Sequence, residues 1–200
     1  MNVQTNADYF DGIYQRPDPF GYGTRWYESR KRDILLSTLP RAQFARGWEL
    51  GCSNGEATRG LAARCDSLLA TDMSAGAVAQ ARQRVGERSN VEILQACHPQ
   101  QWPVGSFDLI VLSEIGYYLE PQELDDLVTR AQRSLTAEGL FVACHWKHPF
   151  DQARQDGVSV HACIARLLTL ALAYRYEDSD FLLEAWAVQP VSVAQQEGLR

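Results

Sequence analysis

From Arg46 to Val188, short apolar runs alternate with longer stretches whose apolar positions recur every three or four residues. "GWEL" (47–50) reads as a strand, followed by a glycine-containing loop and a helix carrying Ala57, Leu61 and Cys65. "SLLAT" is a second strand, ending at Asp72. Ser74 can cap the next helix, where Val78, Ala81 and Val85 repeat at helical spacing. "VEIL" is a third strand. "FDLIVLS" (107–113) is a fourth, and its unbroken apolar run suits a strand buried on both faces. Pro121 suits a first helical turn, Leu124, Leu127, Val128, Ala131 and Leu135 give an amphipathic face, and Gly139 is expected to end that helix. "LFVACHW" is a fifth strand, a helix follows near Val158 to Leu168, and "LALAYRY" and "FLLEAWAV" are two more strand-like runs. Strand and helix alternating in this way predict an α/β domain, a parallel sheet with helices on both faces.

The first forty residues break the pattern. "YFDGIYQRPDPFGYGTRWY" is aromatic and turn-rich, with Pro17, Pro19, Gly21 and Gly23 as breakers. A helix is expected from about Thr24 to Leu39, stopped before Pro40. The expected organisation is an arm and lid helix over 1–40, a ligand-binding domain over 41–190, and a polar tail over 191–200 that frays. The arm's aromatics fit either a lid or a segment packed on the sheet.

Composition narrows the function classes. Hydrophobic residues make up 46% and charged residues 22% of the 200, the balance of a soluble globular protein. A net charge of -6 argues against nucleic acid, and the densest basic cluster, Arg30, Lys31 and Arg32, is flanked by Glu28 and Asp33. No apolar run is long enough to span a bilayer, and the amino terminus has no basic head or apolar core of a signal peptide. Five cysteines without metal or redox spacing suit a reducing cytoplasm.

In parallel α/β sheets ligands bind beyond the carboxyl ends of strands. That rule selects 51–55, Asp72 and Met73, 96–98, 113–118 and 145–148. "WELGCSNGEAT" (48–58) fails the G-x-G-x-x-G pattern, because Ser53 and Glu56 stand where glycines are required; it reads instead as E-x-G-x-x-x-G. Gly51 lets backbone approach a ligand, and Gly55 lets the helix start against it. Asp72 stands where an acid accepts ribose hydroxyls. A loop without Lys speaks against a triphosphate.

This combination resembles the class I S-adenosylmethionine-dependent methyltransferases. The resemblance implies S-adenosyl-L-methionine as cofactor, its methionine end in the first loop, its ribose on Asp72, and its adenine edged by Ala96, Cys97 and His98. Many members carry an acid where Cys97 stands, and Ser53 replaces a common glycine. A narrower resemblance, carried by "DPF" with "RWYESRK", "LGCSNGEAT", "FDLIVLSEIGYYL", "HWKHP" and "DFLLEAW", is to the nodulation-protein-S-like (NodS-like) group. It implies a doubly wound, Rossmann-like, seven-stranded sandwich with an antiparallel final hairpin, preceded by the arm and helix. It also implies methyl transfer to a small-molecule acceptor, with N-methylation of an amino sugar or oligosaccharide as one form and another amine or hydroxyl as alternatives.

The cofactor-binding candidates are Tyr27, Glu49, Gly51, Cys52, Ser53, Asp72, Met73, Ala96, Cys97 and Ser113. Cys52 reads as a small loop filler, not a nucleophile. The catalytic candidates are His145, Glu114 and Tyr117. His145 is either a base at a strand end or a satisfied buried histidine; Glu114 touches ligand or caps its turn; Tyr117 and Tyr118 face the site or the core. The spacing of His145 and His148 is poor for a metal pair, and no metal is expected. Rival readings are a non-catalytic cofactor sensor and a nicotinamide oxidoreductase, the latter disfavoured by Ser53 and Glu56.

Overall fold

The run "FDLIVLS" becomes β4 (Phe107–Ser113), buried from Phe107 to Leu112, as an apolar strand covered on both faces must be. In the computed structural model, residues 3–200 are described, with side chains from Asp8 onward. The chain forms two compact units, residues 1–101 and 102–200.

The first unit holds α1 (Val3–Ile13), α2 (Trp26–Thr38), β1 (Phe44–Leu50), α3 (Glu56–Ala62), β2 (Cys65–Asp72), α4 (Ala75–Val85) and β3 (Val91–Gln95). β2 pairs in parallel with both β1 and β3, and the register puts Leu50 beside Thr71 and Asp72 beside Gln95. The three strands therefore end together, which gathers their following loops at one edge. Ser74 caps α4 as expected, its hydroxyl accepting from the Ala77 N–H at 3.3 Å. α1 was not anticipated: its stretch reads as a loop, with Gly12 near the end.

The second unit holds β4, a 3-10 turn (Gly116–Tyr118), α5 (Pro121–Arg133), β5 (Leu135–Trp146), α6 (Gly157–Leu167), β6 (Ala171–Glu177), β7 (Phe181–Ala187) and α7 (Val193–Gln196). β5 runs parallel to β4 and antiparallel to β7, which pairs antiparallel with β6. α5 begins with Pro121 in its first turn and a capping box between Glu120 and Glu123. The expected end of that helix is corrected. It stops at Arg133, and Leu135 belongs to β5. Partners step from Phe107–Leu135 to Leu109–Leu140, so an irregularity takes up the extra β5 residues. Gly139 lies inside it; a Cβ there would stand 2.7 Å from Leu135 Cβ and 2.9 Å from the Thr136 oxygen. Its glycine serves close chain approach, not helix termination. The strands run in the order β3-β2-β1-β4-β5-β7-β6, a seven-stranded mixed sheet with flanking helices. Among the described residues no helix is long and apolar enough to cross a membrane.

Candidate active site

The loop after β1 is held from below by β2. The Gly51 and Cys52 N–H groups both donate to the Thr71 carbonyl, at 2.8 and 2.9 Å. Gly51 takes φ 75°, Ser53 φ 51° and Gly55 φ 82°, three left-handed residues in five. Ser53 meets the strain of that conformation with two hydrogen bonds: its N–H donates to Asp72 Oδ2 at 2.8 Å, and its hydroxyl accepts from the Tyr14 hydroxyl at 2.6 Å. Asp72 Oδ1 accepts the Ser74 N–H at 3.0 Å. Burial pushes the Asp72 carboxyl up to about 6, against the backbone N–H groups that stabilise its charge.

Two of the cofactor candidates turn inward. The Cys52 side chain is buried with Ala70, Val78, Ala81, Val85 and Ile93, and burial raises its thiol well above the ordinary range. Cys52 is corrected from ligand contact to core filler; its backbone, not its sulfur, shapes the loop. Glu49 is buried, accepts the Thr58 hydroxyl at 2.6 Å, and is pushed up to about 8 by burial, so it is neutral at pH 7 and ties β1 to α3. Met73 stays half-buried between Asp72 and Ser74, its carbonyl accepting from the Gln95 amide. The Ala96 N–H donates to the Asp72 carbonyl at 2.9 Å, and the Cys97 N–H to Gln101 Oε1 at 2.7 Å, which places both past β3. His98 is buried between the Gln101 carbonyl and the Thr71 hydroxyl and lowered to about 4 by burial, which keeps it neutral.

The arm is docked on this loop through residues that the sequence reading missed. Asp11 meets the Ser74 hydroxyl at 2.5 Å. Asp18 accepts the Tyr22 and Gly23 N–H groups and the Asn54 amide, at 2.8, 3.0 and 3.0 Å, joining the aromatic loop to the glycine loop. The hydroxyl that reaches the loop is that of Tyr14, whereas the ring of Tyr27 lies under the Lys31 ammonium, 5.0 Å from its centroid. The signal was available in Pro17-Asp18-Pro19: an acid between two prolines has few backbone donors of its own and must find them elsewhere. Adding S-adenosylhomocysteine should slow amide hydrogen exchange over residues 9–28, because each docking bond ends on the loop or the turn beside it. Unchanged exchange at saturating ligand would assign the arm to the fixed scaffold.

In the second unit Ser113 ends β4, half-buried opposite Cys144. Glu114 follows with φ 61°; it and Ser53 are the two non-glycine residues with positive φ among those described, and each stands just past a strand. The Glu114 carboxylate accepts from the Tyr117 hydroxyl and, at 3.3 Å, from the Trp146 N–H. Glu114 is half-buried. Tyr117 is corrected to a supporting residue: its ring is buried, edge-on to His145, Tyr118 and Phe150, and its hydroxyl holds Glu114.

His145 is also corrected. It lies inside β5 opposite Leu182, fully buried. Its Nε2 accepts the Gly116 N–H at 3.1 Å and its Nδ1 faces His161 Nε2 at 3.1 Å. A ring with both nitrogens so engaged cannot meet an acceptor, and β5 runs on to Trp146, the end of the run "LFVACHW". His148 is exposed and meets Asp180 at 3.2 Å.

A glycine-hinged loop after one parallel strand, with a buried acid at the end of the next, is the arrangement by which doubly wound α/β folds hold a ribose-containing ligand. Residues 48–139 match the family model described as a methyltransferase domain. A crystal structure of a methyltransferase from Pseudomonas syringae is 40% identical, covers 82% of this chain and 99% of its own, and has a TM-score of 0.73. N-methyltransferase NodS from Bradyrhizobium japonicum, solved with S-adenosyl-L-homocysteine, shares the fold at 22% identity, covering 90% of this chain and 97% of its own, with a TM-score of 0.80. Nodulation protein S of Sinorhizobium fredii is 33% identical over 104 residues, 52% of this chain and 48% of that protein. The chain spans about half the length of the curated relatives that it matches. It belongs to the S-adenosylmethionine-dependent methyltransferases.

The residues present fit that cofactor. A carboxylate has about four acceptor positions, and the backbone N–H groups on Asp72 leave it capacity for a hydroxyl. A raised carboxyl of about 6 gives a pH test with a definite sign. If ribose hydroxyls favour the ionised form, affinity rises with pH through about 6 and is lost below it; calorimetry should find binding roughly tenfold weaker at pH 5 than at pH 8. Asp72→Ala should weaken binding by about 1–3 kcal/mol at pH 8 and flatten this dependence. Equal affinity in a folded variant would remove Asp72 from the ribose.

Proposed function

We propose that the chain transfers a methyl group from S-adenosylmethionine to the amine of a small acceptor, an amino sugar or amino-sugar oligosaccharide. The observation that carries the reading is Glu114: a half-exposed carboxylate on a strained turn, its direction set by Tyr117 and the Trp146 N–H. When bound, the cofactor supplies a methyl carbon already activated on a sulfonium. The chain's work is then alignment and proton removal. Gly51, Ser53 and Asp72 hold the cofactor, and Met73, Ala96 and Cys97 border it. Glu114 accepts the proton that an ammonium must lose before its nitrogen can attack. Tyr117 orients the carboxylate.

The choice of an amine rests on the relatives named Nodulation protein S and N-methyltransferase NodS. Five free cysteines suit a reducing compartment, and we place the reaction in the cytoplasm. The test is incubation with isotope-labelled S-adenosylmethionine and either a glucosamine-ended chito-oligosaccharide or its fully N-acetylated counterpart, read by mass spectrometry. Label in the free amine alone supports the reading. Label in both, or in the acetylated one alone, points to a hydroxyl, and label in neither removes this acceptor class.

A further inference from the structure

Behind the Glu114 turn lies a buried chain of hydrogen bonds that methyl transfer does not itself require. It starts at the Gly116 N–H, which donates to His145 Nε2 at 3.1 Å. His145 Nδ1 stands 3.1 Å from His161 Nε2, and His161 Nδ1 stands 2.7 Å from Glu184 Oε2. Arg175 Nη1 donates to the other Glu184 oxygen at 2.8 Å. All three side chains are buried, and they come from three elements: β5, α6 and β7.

The ends fix every proton between them. A backbone N–H can only donate, so His145 Nε2 must be bare and its proton sits on Nδ1. That proton points at His161, whose Nε2 must also be bare, and the remaining His161 proton points at Glu184. The carboxylate only accepts. Both imidazoles are therefore neutral with the proton on Nδ1. Packing leaves the turn little slack: a Cβ on Gly116 would lie 2.6 Å from Val160 Cγ1 and 2.8 Å from His145 Nε2, and one on Gly157 would lie 2.2 Å from the Trp146 carbonyl oxygen and 3.1 Å from His145 Cβ. Gly116 follows Glu114 by two residues, and Tyr117, which holds the carboxylate, rests edge-on against His145.

We propose that His145, His161 and Glu184 are positioning residues that hold the Gly116 N–H through this single proton arrangement and so fix the direction of the Glu114 carboxylate. The inference rests on Glu114 being the base, and its test has readouts that do not depend on the acceptor. His161→Leu removes the middle of the chain, whereas His161→Gln can accept from His145 through its oxygen and donate to Glu184 through its amide. In the protein bound to S-adenosylhomocysteine, His161→Leu should speed Gly116 amide exchange by about tenfold or more while leaving Ile110 in β4 protected. It should lower kcat on the amino-sugar acceptor about as strongly with cofactor affinity unchanged, and His161→Gln should restore both within a few-fold. Nitrogen-15 NMR of the wild type should find the proton on Nδ1 of both histidines, a reading that survives a variant that fails to fold. Gly116 exchange unaffected in His161→Leu, His161→Gln as damaged as His161→Leu, or a proton on His145 Nε2 would each overturn the proposal. A wild type inactive on amino sugars would count against the acceptor alone, since exchange and NMR still decide the relay.

Discussion

Glu114→Gln should lower turnover by about 10²–10⁴-fold and leave the affinity for S-adenosylhomocysteine unchanged. Glutamine keeps an oxygen that can accept from Tyr117 or the Trp146 N–H, so the turn loses little of its support. What it loses is a lone pair basic enough to take a proton from an ammonium. The loss should fall equally on kcat and kcat/KM, the mark of an interaction made in the transition state. Cofactor affinity is the control, because the residues assigned to ribose and loop lie in the other compact unit. Wild-type turnover in this variant would place the base elsewhere. His145 could not inherit the role while its Nε2 holds the Gly116 N–H.

The sheet was legible because its signals are local. "FDLIVLS" is an unbroken apolar run, Asp72 closes an apolar strand, and Ser74 precedes a helical repeat; each became the element it predicted. The helix end at 133 was not legible, because an extra stretch absorbed between β4 and β5 places Gly139 by tertiary pairing, not by helix chemistry. The loop's backbone could be read from glycine spacing, but the direction of its side chains could not. Cys52 turns into a cluster formed with β2, β3 and α4, and Glu49 towards Thr58, contacts that exist only once those elements pack. His145 misled for a related reason. A histidine near a strand end resembles a base, and the partners that occupy it, Gly116 and His161, are 29 and 16 residues away. Tyr14 and Asp18 escaped notice because the segment reads only as aromatic and turn-rich, while their partners Ser53 and Asn54 lie 39 and 36 residues on.

Gly55→Ala should cost about 2–5 kcal/mol of unfolding free energy, against about 1–3 kcal/mol for Gly86→Ala, which carries a backbone cost alone. Both glycines have positive φ, but Gly55 is left-handed helical at φ 82° and ψ 12°, whereas Gly86, at φ 69° and ψ -163°, lies in a region essentially reserved for glycine. An alanine pays about 1–2 kcal/mol for the first conformation and about 1–3 kcal/mol for the second. They differ in what surrounds the missing Cβ. At Gly86 nothing lies within 4 Å; at Gly55 a Cβ would stand 2.9 Å from Ala81 Cα, 3.1 Å from Ala81 Cβ and 3.2 Å from the Ala81 carbonyl oxygen. Those atoms belong to the body of α4, with Ala81 fully buried, so no side-chain rotation relieves the overlap. Relief requires α3 and α4 to separate, at the roughly 1–3 kcal/mol typical of an overpacked core. The movement would reach the cofactor: Gly55 is the N-cap of α3 and its N–H donates to the Cys52 carbonyl at 2.9 Å, across the strained Ser53 that bonds Asp72. Gly55→Ala should therefore also weaken S-adenosylhomocysteine binding, and Gly86→Ala should not. Urea unfolding and S-adenosylhomocysteine titration of the two variants in parallel separate a backbone cost, which both carry, from the overlap, which Gly55→Ala alone carries. A Gly55→Ala variant that loses no more than about 2 kcal/mol and keeps its ligand affinity would mean that the two helices yield freely and that Gly55 is required for its backbone angle alone.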